Sequence, residues 1–179
     1  MAEPWPWPAP ADDGAAVHLV AGTRLPTIAL PSSAGVAIDL SRLDGRAVVF
    51  VYPFTGTAGK PNPPGWDDIA GAHGSTPEAQ GFRDLMPMFA MKSVKVFGLS
   101  AQASADQQAF ARRQSLTYPL LSDSDFRFTD ALRLPRFATG GVTYLKRLTL
   151  ILRAGVIERC MYPVHPPHTH AEQVLTVLG

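Results

Sequence analysis

The sequence predicts a single α/β domain in which helices flank a mixed β-sheet. Two apolar runs, at residues 47–52 and 94–99, have the β-branched composition of buried strands, and each is followed by a helical pattern. Near the C-terminus, Thr149–Arg153 and Val156–Tyr162 are joined by Ala154-Gly155, a two-residue hairpin signal. Parallel units followed by an antiparallel hairpin indicate one mixed sheet.

The composition of the 179 residues fits such a domain and excludes several other classes of protein. Hydrophobic residues make up 46% of the chain and charged residues 17%, which indicates a well-buried core. The net charge is +1 and no Lys/Arg run exceeds two residues, so no nucleic-acid partner is expected. No apolar run approaches the roughly 20 residues that span a bilayer, so no membrane partner is expected. The N-terminus lacks a basic leader and an apolar stretch, and the expected location is cytoplasmic.

The chain begins with a Pro/Trp-rich segment, residues 1–14, that is predicted to form an extended arm ahead of a single domain at 15–179. Trp5 and Trp7 are candidates for docking onto another subunit, and a loosely packed terminus is the alternative. A short helix is predicted over Ala15–Gly22.

A small hairpin, Thr27–Leu30 with Val36–Leu40, is expected around the turn-forming string PSSAG. The strand at 47–52 then leads into about twenty Pro/Gly-rich residues, and loops of that length usually carry function. A helix starting at Ser75 or Thr76 follows, with apolar residues at helical spacing. Pro87 lies within this pattern and is expected to kink or end the helix.

The remaining elements complete the prediction. They are a helix from Ser104, its expected N-cap, to Gln114, a strand at Tyr118–Ser122, a helix at Asp125–Leu132 and a final helix from Thr169 to Leu178. The order of all these elements describes a thioredoxin-like α/β sandwich.

Six segments of the chain occur in one order: VVFVYP, GSTPEAQGFRD, VKVFGLS, YPLLSDSD, KRLTLIL and YPVHPPHTHAEQVL. In that order they resemble the peroxiredoxin (AhpC/TSA) family, closest to its bacterioferritin-comigratory, Q-type subgroup, from about Gly22 to Leu178. The resemblance implies an antioxidant oxidoreductase that reduces hydrogen peroxide or organic hydroperoxides with a thiol. It further implies a thioredoxin-like reductant as partner, no cofactor, no metal, and a homodimer as a candidate assembly.

The resemblance also assigns site residues. The position of the peroxidatic cysteine falls on Ser75, at a helix N-terminus where N–H groups and the helix dipole favour an anion. Pro53 would shield the site, and Thr57 fits the spacing of the family's P-x-x-x-T motif. Arg147 stands where the family has its arginine, and the position of a resolving cysteine falls on Gln80.

Serine at position 75 changes the expected chemistry. A hydroxyl is far less acidic than a thiol, and its oxygen cannot form a sulfenic acid, so the chain is predicted not to turn over hydroperoxides by the family mechanism. Cys160, the only cysteine, is predicted to lie in the late strand and matches no nucleophile motif. Ser75 is either an engineered Cys→Ser change or a natural loss, and Gln80 favours the second. The alternative function is a cysteine-less pseudo-enzyme that acts as an interaction or binding module.

Two of the site residues also have a simpler structural interpretation. Ser75 and Glu78 match a capping box, in which both side chains satisfy the first turn of the helix. Arg147 would then pair with Glu158 or Asp44 near the surface.

The histidines suggest two further sites, neither of which is expected. His165, His168 and His170 lack the spacing of a helical zinc motif and are expected in a solvated loop. A hydrolase triad is disfavoured because no nucleophile elbow surrounds its candidate members. Those members are Ser75, His73 and either Asp67 or Asp68.

Overall fold

The computed structural model describes residues 3–179 and confirms an α/β sandwich with a mixed central sheet. The five strands of this sheet lie in the order β5-β4-β3-β8-β9, and two short hairpins, β1-β2 and β6-β7, accompany it. The strands are β1 (Ala29–Leu30), β2 (Ile38–Asp39), β3 (Arg46–Val51), β4 (Val94–Ser100), β5 (Leu120–Ser122), β6 (Arg136–Thr139), β7 (Val142–Leu145), β8 (Leu148–Arg153) and β9 (Val156–Met161). The helices are α1 (Ser75–Asp84), α2 (Met86–Met91), α3 (Ser104–Arg113), α4 (Arg127–Leu132) and α5 (His170–Leu178).

Strand β3 forms the centre of the sheet, as its continuous apolar run predicts. It pairs in parallel with β4 on one side and antiparallel with β8 on the other. Its side chains alternate between the two faces of the sheet, so that Val48 and Phe50 enter one core and Val49 and Val51 the other. Both faces of this strand are therefore buried.

The two cores receive different elements. On one face, Phe82 of α1, Phe89 of α2 and Val174 of α5 pack against the sheet. On the other face, α4 packs through Phe128 and Leu132, together with segments that precede β3. The sheet thus separates α1 from everything that packs on the α4 side.

The helix predicted after the long loop is divided in two near Pro87. Helix α1 ends at Asp84, and α2 begins at Met86 with Pro87 in its first turn. A proline is tolerated there because the N–H that it lacks has no helical partner in the first turn.

Two predictions of local structure are wrong, and one hairpin was missed. Ala15–Gly22 forms turns and not a helix, because the Gly22 N–H pairs with the Ile157 carbonyl of β9 and pulls the chain toward the sheet. Ser104 is the first residue of α3, with Ala103 at the cap position and no side-chain cap. The β6-β7 hairpin was not predicted, although Gly140-Gly141 between two alternating segments is a turn signal.

The arm, described from residue 3 onward, is extended and lies against the body of its own chain; Met1 and Ala2 fall outside the described residues. Whether it also contacts another subunit stays a prediction. Over residues 3–179, every helix is too short or too polar to cross a membrane.

Candidate active site

The long Pro/Gly loop, residues 53–74, is organised by a cluster of aromatic rings. Trp66 is 4% exposed and its ring centroid lies 5.1 Å from that of Tyr144 and 5.7 Å from those of Phe54 and Phe137. Aromatic pairs at this separation stabilise beyond the area that they bury. The cluster anchors the middle of the loop on the β6-β7 hairpin and returns its end to the sheet, where α1 begins.

Gly74 fixes the start of α1. Its φ of +114° lies in the region that L side chains rarely adopt, and a Cβ at this position would lie 2.2 Å from Pro167 Cγ and 2.9 Å from Trp5 Cζ2. Only glycine fits both the conformation and the space. It places Ser75 as the first residue of the helix, 3% exposed.

Arg147 lies in the connection between β7 and β8 and is 4% exposed. Its Nη2 donates to the carbonyl oxygens of Ala72 and His73 and to the Oγ of Ser75, each at 3.2 Å. Its Nη1 donates to Glu78 Oε1, also at 3.2 Å. One guanidinium therefore joins the end of the long loop to the first turn of α1.

These contacts overturn two simpler interpretations. The capping box is wrong, because Ser75 is inside the helix, Gly74 occupies the cap position and Glu78 turns to Arg147. A surface pairing of Arg147 is also wrong. Glu158 pairs instead with Arg46 and Arg153, at 2.9 and 2.8 Å.

Burial shifts the protonation of two groups near this guanidinium. Burial raises the pKa of Glu78 from 4.5 to about 7, while Arg147 opposes the shift. Burial likewise lowers the pKa of His170 to about 4, so this imidazole is neutral near pH 7; its Nε2 lies 2.7 Å from Thr149 Oγ1. Burial thus disfavours the ionised form of Glu78, and the adjacent guanidinium of Arg147 favours it.

A cavity of about 250 Å³ opens above Ser75. All three tryptophans of the chain line it, two from the arm (Trp5 and Trp7) and one from the aromatic cluster (Trp66). Polar groups of the loop, including Thr55 and Asn62, complete its wall. The N-terminus of α1 lines the cavity, and Arg147 donates to the Oγ of Ser75 from behind this lining, so the cavity suits an electron-rich oxygen placed beside Ser75.

The other predicted site residues lie at different places. Pro53 is buried two residues after the end of β3, next to Phe54, which lines the cavity. Thr57 is exposed and is not part of the cavity lining; Thr55 lines it instead. Spacing counted from Pro53 does not reach the site, because the long loop intervenes before α1. Gln80 is half-buried on α1, and its Nε2 donates to Gln114 Oε1 at 2.8 Å.

The histidines do not assemble the sites considered from sequence. His73 Nε2 lies 2.7 Å from Asp67 Oδ1, but within residues 3–179 no hydrogen bond joins His73 to Ser75. His165 is exposed, whereas His170 is buried, so the expectation of a solvated loop is wrong for His170. In the described part of the chain, no three His, Cys, Asp or Glu side chains cluster as a metal site requires.

Cys160 lies on β9, as predicted, and packs on the face of the sheet opposite α1. Burial raises the pKa of its thiol to about 11. The sheet therefore stands between this sulfur and Ser75.

Sequence reasoning missed several contributors to the site. In the sequence, Glu78 matched a helix-cap motif. Its burial against Arg147 depends on a contact between distant parts of the chain, which the sequence does not show. Trp66 lies in the long loop, where no periodic pattern marks it as buried. The alternating Pro and Trp residues of the arm predict an extended conformation, but they do not predict where the arm docks.

Comparison with known proteins gives a consistent picture. The sequence pattern of the AhpC/TSA family matches residues 70–160. The chain is 27% identical to a chloroplastic peroxiredoxin Q of Sedum lineare, and the match covers 88% of this chain and 76% of the relative. It is 31% identical to a putative peroxiredoxin bcp of Coxiella burnetii, and that match covers 58% of this chain and 60% of the relative.

Solved structures show the same likeness. A bacterioferritin comigratory protein from Xanthomonas campestris, described for alkyl peroxide reduction, superposes with a TM-score of 0.70 at 26% identity, covering 88% of this chain and 96% of that one. Peroxidoxin BcpB from Mycobacterium tuberculosis gives a TM-score of 0.71 at 25% identity, covering 90% and 97%. The fold is therefore that of the thioredoxin-fold peroxiredoxins.

Proposed function

The chain belongs to the AhpC/TSA family, and from that premise we propose that it is a peroxiredoxin-like protein that keeps the family's oxygen-binding pocket without a redox-active thiol. In this proposal, Ser75 occupies the peroxidatic position and Gln80 the resolving position. Membership of the peroxiredoxin Q/BCP-like group supports a peroxidase-type scaffold, with a hydroperoxide as ligand and a thioredoxin-like reductant for any thiol-bearing form. The chain as it stands is inactive in thiol-dependent peroxide reduction.

One observation carries the proposal: Arg147 donates to the Oγ of Ser75 at the N-terminus of α1. A guanidinium, a helix dipole and free first-turn N–H groups stabilise a thiolate strongly, because sulfur is already acidic enough to ionise near neutral pH. The same groups act on a serine hydroxyl too weakly to ionise it, and oxygen has no sulfenic acid state to cycle through. The pocket can therefore bind and orient an oxygen-containing ligand without reducing it.

Cys160 does not replace the missing sulfur. It packs on the opposite face of the sheet from α1, and its raised pKa leaves little thiolate at neutral pH. The proposed location stays cytoplasmic and the proposed assembly a homodimer.

The test restores the sulfur. In a Cys160→Ala background, Ser75→Cys should consume one equivalent of hydrogen peroxide, form a sulfenic acid and turn over when dithiothreitol is supplied. The chain with Ser75 and its matched control Ser75→Ala should both leave peroxide unchanged. Catalytic consumption by the unaltered chain would overturn the claim of inactivity. A restored thiol that reacts no faster than free cysteine would overturn the claim of an intact pocket.

A second function, a binding or interaction module without a redox-active cysteine, is favoured by the arm. Trp7 stacks on His73 with ring centroids 3.7 Å apart, and Trp5 stacks on His168 at 5.1 Å, so a segment rich in Trp and Pro already occupies the rim of the pocket. The same experiment distinguishes the two functions. A pure interaction module does not require a peroxide-binding pocket, so its Ser75→Cys variant should react with peroxide no faster than free cysteine does.

A further inference from the structure

The arm is fastened to the rim of the Ser75 cavity by a series of contacts. The ring of Trp7 lies parallel to that of His73, and the ring of Trp5 lies against His168. Next to Trp7, the Pro8 carbonyl accepts a hydrogen bond from the Gly71 N–H at 3.2 Å. Each contact is made to a residue of the loop that leads into α1 or of the turn that leads into α5.

A second group of contacts holds the end of the arm. Asp13 accepts hydrogen bonds from Lys146 Nζ and from the Tyr162 hydroxyl, both at 2.7 Å. Lys146 adjoins Arg147, so this anchor lies next to the guanidinium that contacts Ser75. The arm is thus fixed at Pro8 and at Asp13, both of which follow the two tryptophans that meet the cavity.

The tryptophans limit the space above Ser75. Trp5 comes so close to Gly74 that a Cβ there would lie 2.9 Å from its Cζ2, and both indoles line the cavity whose base is Ser75. The cavity is about 250 Å³, small for a site that holds a drug-sized ligand. The rest of the wall is formed largely by polar loop groups such as Asn62 and Thr55.

We infer that Trp5 and Trp7 are specificity-determining residues of the Ser75 pocket, which they restrict to small hydrogen-bonding oxygen compounds, from hydrogen peroxide to short-chain alkyl hydroperoxides. Long-chain compounds and protein side chains reach Ser75 only when the arm undocks. The inference rests on the proposed function, which identifies the cavity at Ser75 as the pocket for a hydroperoxide. What it adds is a role for two residues of the arm in selecting the ligand.

The size limit has a measurable consequence. A reagent that fits beneath the indoles reaches position 75 with the arm docked. A reagent too large for the cavity reacts only during the fraction of time in which the arm is open, and such local openings have their own equilibrium within a folded protein. The ratio of the two reaction rates therefore reports on the arm.

The experiment uses the full chain with Ser75→Cys and Cys160→Ala, so that the only thiol lies at position 75. Its alkylation by iodoacetamide is compared with that by a maleimide carrying a polyethylene glycol chain, each normalised to the rate with free cysteine. Trp5→Ala and Trp7→Ala are then added together. Met91→Ala, an exposed position on α2, is the matched control, and Trp7→Phe tests whether a smaller ring retains part of the selection.

With the arm intact, we expect the normalised rate of the large reagent to be at least about tenfold below that of the small one, which corresponds to an arm that is open a tenth of the time or less. The double tryptophan variant should remove most of this difference, whereas Met91→Ala should leave it unchanged. An equal size ratio with and without the tryptophans would overturn the inference, as would a thiol that neither reagent reaches in either chain.

Circular dichroism and the thermal midpoint identify any variant that has lost its fold. If the double tryptophan variant does not fold, the size ratio of the Trp7→Phe variant is compared with that of the chain with the intact arm. The readout is alkylation, so it does not depend on peroxide chemistry. A restored thiol that fails to reduce peroxide but shows the size selection would overturn the proposed function alone; the reverse result would overturn the role of the arm alone.

Discussion

The Nη2 of Arg147 lies 3.2 Å from the Oγ of Ser75, and the same nitrogen donates to two carbonyl oxygens at the end of the long loop. A cation held in this way acts on whatever atom stands at position 75. In a chain with Ser75→Cys and Cys160→Ala, we expect the thiol pKa to lie below the ordinary value of about 8.5. Adding Arg147→Met should raise that pKa by about 1–3 units, because an opposite charge at hydrogen-bond distance is lost.

The measurement is the pH dependence of the alkylation rate. Arg147→Lys, which retains the charge but not the fork of donors, should give an intermediate pKa. If Arg147→Met leaves the thiol pKa where it was, the guanidinium does not act electrostatically on position 75.

A second prediction concerns Glu78. Its folded-state pKa, about 7, exceeds its ordinary value of 4.5, so between these pH values the folded chain holds a proton that the unfolded chain has released. The free energy of unfolding should therefore fall as pH rises from about 4.5 to 7, by about 3 kcal/mol at most. Glu78→Gln should remove this fall, as measured by urea unfolding at a series of pH values. Glu172→Gln, at an exposed position of α5, is the control, and an identical slope in both variants would refute the assignment.

His170 should act in the opposite direction. Its folded-state pKa, about 4, lies below its ordinary value of 6.5, so the unfolded chain binds the proton first on acidification. Stability should be fully present above pH 6.5 and decrease toward pH 4, by about 3 kcal/mol at most. His170→Gln should weaken this acid sensitivity in urea unfolding, whereas His165→Gln, at an exposed position, should not. Because the Glu78 and His170 effects overlap between about pH 4.5 and 6.5, they offset each other in the unaltered chain, and a steep net slope there would mean that one of the two effects is absent.

Gly74 allows a direct test of local geometry. Gly74→Ala should lower the free energy of unfolding by about 2–4 kcal/mol, because it combines a positive φ with a clash against Pro167 and Trp5. Gly22→Ala, at the nearer φ of +92° with nothing within 4 Å, should lose only about 1 kcal/mol. Denaturant unfolding of the two variants isolates the contribution of the crowding. Equal losses would mean that the backbone conformation alone matters.

The last prediction concerns Cys160 in the unaltered chain. Because burial raises its pKa from 9.0 to about 11, its thiolate fraction near neutral pH should be about 100-fold smaller than that of an unshifted thiol. Its reaction with a chromogenic disulfide should be slower by about that factor in the native chain and rapid after denaturation. A fast native reaction would show that the β9 edge opens readily.

The central strands were predictable because β-branched apolar runs buried on both faces leave a continuous signal, and the division of the first helix followed from Pro87 alone. The hairpin at 136–145 was missed because its strands are short and half-exposed, although its Gly-Gly turn was visible. The turns at 15–22 replaced a helix because pairing with β9, a long-range contact, outweighs local propensity.

At the candidate site, motif order alone pointed to Ser75 and Arg147, because each lies inside a matching segment of sequence, and the structure brings the two side chains within hydrogen-bond distance. Thr57 was placed by counting from Pro53, and counting fails where a loop lengthens. The environment of Glu78 is set by a residue 69 positions away, and the docking of the arm depends on rings far along the chain. Neither leaves a local pattern.

The convergence of Trp5, Trp7 and Trp66 on one cavity means that every indole emitter of this protein reports on the same small region. Intrinsic fluorescence therefore follows the arm, the long loop and the first turn of α1, and not the central sheet. Far-ultraviolet circular dichroism follows the helices and strands. When denaturation is followed with both probes, the two curves coincide only if the pocket and the sheet unfold as one cooperative unit. A fluorescence transition that comes earlier would reveal an intermediate in which the pocket has opened and the sheet is still folded.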